Sequence, residues 1–243
     1  MIQTITILFL GHLEPLCRKI SLKNFVNIKG IFFDLDGTLF DTAPELIVAI
    51  NAMLKDMSLG ELEEESIKNF IGRGAENLIK KSIGLSSGKS PDVYFEEGGS
   101  LFKKHYIMNA AESKIYEGAE DTLKKLRSKG ILLACVTNKP EIYTKALLKK
   151  SGLSSYLDLI VSGDTVARMK PDPMPLKYGC DILKLKPSEV IMVGDSCNDI
   201  NAGYAAGTFV VTVPYGYQYG ESIISKKVDL AISNLLDLSP VVN

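Results

Sequence analysis

Hydrophobic residues fall along this chain in two rhythms. Short continuous apolar runs recur at 31–33, 131–136, 159–161, 190–193 and 209–213, and 230–232 adds a brief sixth. Runs without alternation that stop at polar or turn residues read as strands covered on both faces, as in a parallel sheet. Between them, apolar residues return every three or four positions, the spacing of helices with one buried face.

Ala43, Leu46, Ile47, Ile50, Leu54 and Met57 set the first helix, to about residue 57. Thr42 is placed to cap it, Glu45 to bond back, and Pro44 is tolerated in a first turn. A second helix is predicted over 63–71, led by three acids and broken by Gly72-Arg73-Gly74. A third runs over 75–83, with Gly84 as its stop. Residues 85–91 form a polar loop, and 93–108 is helical again, although Gly98-Gly99 weakens it by about 1 kcal/mol per glycine. Residues 43–112 are thus all helical, whereas 30–42 and 113–243 alternate strand and helix, with helices over 119–128, from Pro140 to Gly152, over 173–183 and over 198–206. This pattern predicts an α/β protein: a doubly wound, mainly parallel sheet core with an inserted all-helical cap domain. Asp41 and Thr42 mark where the chain leaves the core for the cap. Residues 1–29 read as a peripheral extension or an upstream start, with an edge strand as the lesser alternative. Their apolar run is too short to span a bilayer and lacks the flanks of a signal peptide.

Composition narrows the chemistry. A formal net charge of -1 offers no field for nucleic acid or an anionic membrane, so an anionic substrate must be gathered locally. The four cysteines, Cys17, Cys135, Cys180 and Cys197, form no CxxC pair, which suits a reducing, cytoplasmic setting without structural zinc. With only His12 and His105, a histidine metal site or a Ser-His-Asp relay is hard to assemble, and catalysis is pushed toward carboxylates.

Those carboxylates stand at strand ends. Asp34, Asp36 and Thr38 follow the first strand, Thr137 and Asn138 the second, Asp164 through Lys170 the third, and Asp195 and Asp199 the fourth. In a parallel sheet all these ends share one edge, where clustered acids need a cation among them. Hard oxygen ligands without His or Cys suit Mg2+. Thr137, Lys170 and the N–H groups after Asp34 are placed to bind phosphate oxygens. Plainer roles exist for each: Asp-Gly is an ordinary turn, Thr137 can cap the helix after it, and Asp199 can be a first-turn acid. Lys139, beside Thr137, is a weaker site candidate and reads rather as a surface residue.

Asp34-Leu35-Asp36-Gly37-Thr38, Thr137, Lys170-Pro171 and Gly194-Asp195-Ser196-Cys197-Asn198-Asp199 resemble, in order, the four motifs of the haloacid dehalogenase-like hydrolase superfamily. The helical insert resembles that superfamily's first-position cap. Ile71-Gly72-Arg73-Gly74, Val161-Ser162-Gly163-Asp164-Thr165, Lys170-Pro171-Asp172-Pro173 and Pro214-Tyr215-Gly216-Tyr217 resemble phosphoglycolate phosphatases in particular. The resemblance implies an Mg2+-dependent phosphomonoester hydrolase, monomer or homodimer, acting on a small anionic phosphoester, with 2-phosphoglycolate as the leading candidate. It makes Asp34 the nucleophile that forms an aspartyl-phosphate and Asp36 the general acid and base. The metal is held by Asp34, the Asp36 carbonyl and Asp195, with Asp199 orienting this set. Thr137 and Lys170 stabilise the transferring phosphoryl group. Thr38, Asn138 and Arg73 are the further substrate-binding candidates, Arg73 as the cap group that meets a substrate carboxylate. A sugar-phosphate phosphatase, a phosphomutase or a pyrophosphatase shares the same motifs. A non-catalytic phosphate-binding regulator is the reading from a different class.

Overall fold

The computed structural model describes residues 25–88, 90–109, 113–217 and 228–242. Its centre is β1 (Gly30–Phe33), whose residues are all buried. Ile31 and Phe33 point to one face of the sheet and Phe32 to the other, as the two-residue period of a strand demands. Each such side chain contributes about 1.5–3 kcal/mol by leaving water. β4 (Leu132–Val136) and β6 (Val190–Gly194) flank β1 in parallel, with Phe33 level with Cys135 and Val193. β5 (Leu159–Val161), β7 (Phe209–Thr212) and β8 (Leu230–Ala231) complete a six-stranded sheet in the order β5-β4-β1-β6-β7-β8. Every pairing in it is parallel. The chain winds outward from β1 to β4 and β5, then returns to build the other half from β6. The direction therefore reverses beside β1, and an open sheet has its ligand crevice where that happens.

Helices cover both faces. α5 (Ala119–Ser128) and α6 (Glu141–Ser151) pack with the Ile31 and Phe33 face, and α7 (Met174–Leu183) and α8 (Cys197–Ala206) with the Phe32 face. α1 (Ala43–Asp56), α2 (Glu64–Lys68), α3 (Ala75–Ser87) and α4 (Pro91–Asn109) form the insert, with an apolar core of their own built on Leu46, Ile50, Met53, Ile79, Ile83 and Phe102. α3 runs through Gly84 and ends at Ser87, capped by Gly88, correcting the expected stop. Gly98 does not break α4. It lets that helix approach α3, since a Cβ there would stand 2.7 Å from Ile83 Cδ1.

The insert joins the core through β2 (Phe40–Asp41) and β3 (Lys114–Ile115), which pair antiparallel. Both crossings are thus tied into one ribbon. The expectation for the N-terminal extension lies outside the described residues as far as residue 24. Residues 25–29 correct the rest of it, because Phe25 and Ile28 are buried in the main core and Phe25 packs on Phe209 at 5.3 Å between ring centroids. No helix among the described residues is long and apolar enough to cross a membrane.

Candidate active site

Asp34 leaves β1 at the switch point and is buried together with Asp36, Thr137, Lys139, Lys170, Asp195 and Asp199. The turn after it is tight. Gly37 adopts φ +84°, and a Cβ there would stand 2.4 Å from Asp195 Oδ2. Only glycine allows both the dihedral and the approach.

Lys170 is the positive centre of the group. Its Nζ lies 3.0 Å from Asp34 Oδ1 and 2.6 Å from Asp199 Oδ1, and it donates to the Val136 carbonyl at 2.6 Å. Asn138 holds that lysine in place, accepting the Lys170 N–H at 2.9 Å and donating to its carbonyl at 2.8 Å. The same amide reaches the Gly72 carbonyl of the insert at 3.0 Å. Asn138, expected as a substrate group, therefore has its side chain committed to a core–cap link. Asp199 is held at both oxygens, the second accepting from the Ser196 hydroxyl at 2.6 Å.

Asp36 has a separate set of partners. Its Oδ1 accepts from Lys139 Nζ at 3.0 Å and from the Thr42 hydroxyl at 2.7 Å. This overturns two expectations. Lys139 is not at the surface but buried against Asp36 and over the Tyr106 ring, 4.9 Å from its centroid. Thr42 makes no side-chain cap on α1, and Glu45 accepts instead from the Tyr106 hydroxyl. A β-branched polar residue beside a buried carboxylate finds a stronger, charge-assisted partner there than at a helix end.

Thr38 turns its hydroxyl to Asp195 Oδ1 at 3.3 Å, and the Tyr217 N–H donates to Asp195 Oδ2 at 2.7 Å. Thr137 accepts the Lys139 N–H at 3.2 Å, while Asp164 accepts the first N–H of α6 at 2.8 Å. The helix cap thus belongs to Asp164, which lies outside the carboxylate group. A cavity of about 30 Å³ sits over Asp34 and Asp36, walled by Thr137, Asn138 and Lys139 from the core and by Gly72, Gly74 and Tyr106 from the insert. Arg73, between those glycines, is exposed on the same loop.

Among the described residues, ligand atoms of Asp34, Asp195 and Asp199 lie within 4.8 Å of one another, all buried. Three carboxylates against the one ammonium of Lys170 leave two negative charges uncompensated. A divalent cation matches that excess and the all-oxygen donor set. The electrostatics agree. Burial pushes the Asp34 carboxyl up to about 7, opposed by Lys170 and reinforced by Asp199 and Asp36. Burial, then Asp199 and Asp34, push Asp195 well above the carboxylate range. For Lys170, burial pulls the ammonium down, but Asp199 and Asp34 raise it by more.

Between 3.8 and about 7, Asp34 in the folded metal-free protein keeps a proton that the unfolded chain has lost. Stability from this group is full below that window and falls as pH rises through it. Thermal unfolding with a chelator present is expected to show Tm dropping by several degrees from about pH 5 to about pH 7.5. A saturating divalent ion should remove most of that slope; equal slopes with and without the ion would contradict it.

The fold and site define an α/β protein that gathers carboxylates and a lysine at a sheet switch point, beneath a helical insert. A profile of the haloacid dehalogenase-like hydrolases matches residues 31–213, and the chain belongs to that family. It is 39% identical over 217 residues to a phosphoglycolate phosphatase of Nitrosospira multiformis, covering 88% of this chain and 96% of that one. It is 40% identical over 189 residues to a plasmid phosphoglycolate phosphatase of Cupriavidus necator, covering 77% and 81%. The crystal structure of a predicted phosphoglycolate phosphatase from Haemophilus somnus 129PT superposes with a TM-score of 0.85 at 32% identity, covering 89% of this chain and 98% of that one.

Proposed function

We propose that this protein is an Mg2+-dependent phosphatase that hydrolyses 2-phosphoglycolate to glycolate and phosphate. The observation that carries this reading is the division of partners between two adjacent buried carboxylates. Asp34 faces Lys170, while Asp36 faces Lys139 and Thr42. Two carboxyl groups in different environments can take different roles in one reaction.

In this reading Asp34 attacks phosphorus and forms an aspartyl-phosphate, splitting a difficult hydrolysis into two displacements. Asp36 protonates the departing alkoxide, then takes a proton from the water that breaks the intermediate. Lys139 and Thr42 fix one oxygen of Asp36, which sets the direction of that transfer. Lys170 and Thr137 bear on the charge of the transferring group, and fixed donors of this kind are worth most where water is excluded. Mg2+ would be held by the Asp34 and Asp195 carboxylates and the Asp36 carbonyl, and would neutralise charge on phosphate oxygens. Asp199, held by Lys170 and Ser196, orients this set.

The substrate class is supported by the relatives named above and by Arg73, exposed on the insert loop that walls the cavity. A guanidinium there suits a substrate carboxylate. The cavity lies between residues of the core and of the insert, so movement of the insert against the core would change access to it. A chelator is expected to bring activity to background and Mg2+ to restore it. Full activity in excess chelator would remove the ion from the mechanism.

A further inference from the structure

The segment Pro214-Tyr215-Gly216-Tyr217 takes no part in the chemistry above, yet it touches both the carboxylate group and the hinge of the insert. Its main chain reaches Asp195: the Tyr217 N–H donates to Oδ2 at 2.7 Å. Gly216 lies flat against the same carboxylate, where a Cβ would stand 2.1 Å from Oδ2. Its side chains reach the two crossings. The Tyr217 hydroxyl donates to Asp41 Oδ1 at 2.8 Å and accepts the N–H groups of Thr42 at 2.6 Å and Ala43 at 2.8 Å. Those N–H groups open α1, which has no side-chain cap of its own. The Tyr215 hydroxyl donates to the Thr38 carbonyl at 3.0 Å, and its ring packs 4.4 Å from that of Tyr116, directly after β3.

We propose that Tyr217 is a positioning residue that couples ion occupancy at Asp195 to the position of the cap helix α1. The proposal rests on the metal reading above. A cation held by the Asp195 carboxylate would fix the group whose Oδ2 accepts the Tyr217 N–H, and so would set where the Tyr217 backbone lies. The ring carries that placement to the hydroxyl, which hydrogen bonds fix to Asp41 and to the first turn of α1. Because coupling between sites is reciprocal, a cap position that favours these bonds also favours the ion, by the same factor. An aromatic side chain with two rotatable bonds transmits such a shift better than a flexible one.

Hydrogen exchange of the full chain, with Mg2+ alone as the probe, tests this. In the wild type, Mg2+ is expected to slow exchange of the Thr42 and Ala43 amides and the turn after them by about tenfold. In Tyr217→Phe that protection should fall to about onefold, while protection at residues 35–38 and 195–199 persists. The proposal is overturned if Mg2+ leaves the start of α1 unprotected in the wild type, or protects it equally in the variant. Should Tyr217→Phe fail to fold, Asp41→Asn tests the same link from the hinge side, with a partial loss of protection expected and none overturning it. Calorimetric titration separates the two readings. Absence of Mg2+ binding removes the ion reading and the coupling with it, whereas binding without protection at α1 removes the coupling alone.

Discussion

Replacing Asp34 by Asn is expected to lower kcat on any phosphomonoester by about four orders of magnitude, since the amide keeps the shape but not the nucleophile. The protein should stay folded. Lys170 retains Asp199 at 2.6 Å, and removing one acid from a buried group with excess negative charge relieves repulsion. The metal-free variant is therefore expected to unfold at a Tm equal to or above that of the wild type. Steady-state kinetics together with thermal unfolding check both halves. Turnover within tenfold of wild type would remove Asp34 from its role, and a collapsed Tm would mean that the charge balance has been misread.

Lys170→Met should have the second largest effect, and on stability as well as rate. The ammonium is the shared partner of Asp34, Asp199 and the Val136 carbonyl. Breaking a buried ion pair from one side leaves uncompensated charge, at a cost of about 3–5 kcal/mol. Loss of a fixed donor near the transferring phosphoryl group lowers kcat by about 10²–10³-fold. Urea unfolding of the metal-free protein checks the first figure. Adding Asp199→Asn should recover part of the lost stability, because the two residues are in contact and their effects do not add. Lys170→Met with wild-type stability would show that the lysine is not what offsets the acids.

The sheet and the site stood out in the sequence for one physical reason. Strands buried on both faces are unbroken apolar runs, and parallel strands bring their C-terminal ends to one edge, so Asp34, Thr137, Lys170 and Asp195 converge without knowledge of packing. What escaped depended on contacts distant in sequence. β2 and β3 are two residues each, too short for any period to register. Thr42 and Glu45 matched a capping box, but Asp36 and Tyr106 offered buried partners and Tyr217 took over the helix end. Lys139 looked like a surface lysine because nothing beside it reveals that Asp36, 103 residues away in sequence, accepts its hydrogen bond. Its position three residues past a strand end was the available signal. Asn138 was legible as a site neighbour but not as the clamp on the Lys170 backbone. Phe25 and Ile28 were missed because the extension that carries them read as peripheral, and only distant partners such as Phe209 bury them.

The most direct test is a comparison of kcat/KM at fixed Mg2+ for 2-phosphoglycolate, hexose phosphates, a pentose bisphosphate and pyrophosphate. A cap that presents Arg73 to a substrate carboxylate predicts a preference for 2-phosphoglycolate over hexose phosphates of about a hundredfold or more, because a hexose offers that guanidinium no second anionic group. A hexose phosphate, the bisphosphate or pyrophosphate turned over more efficiently than 2-phosphoglycolate would contradict the assignment, even with Asp34 and Mg2+ both required.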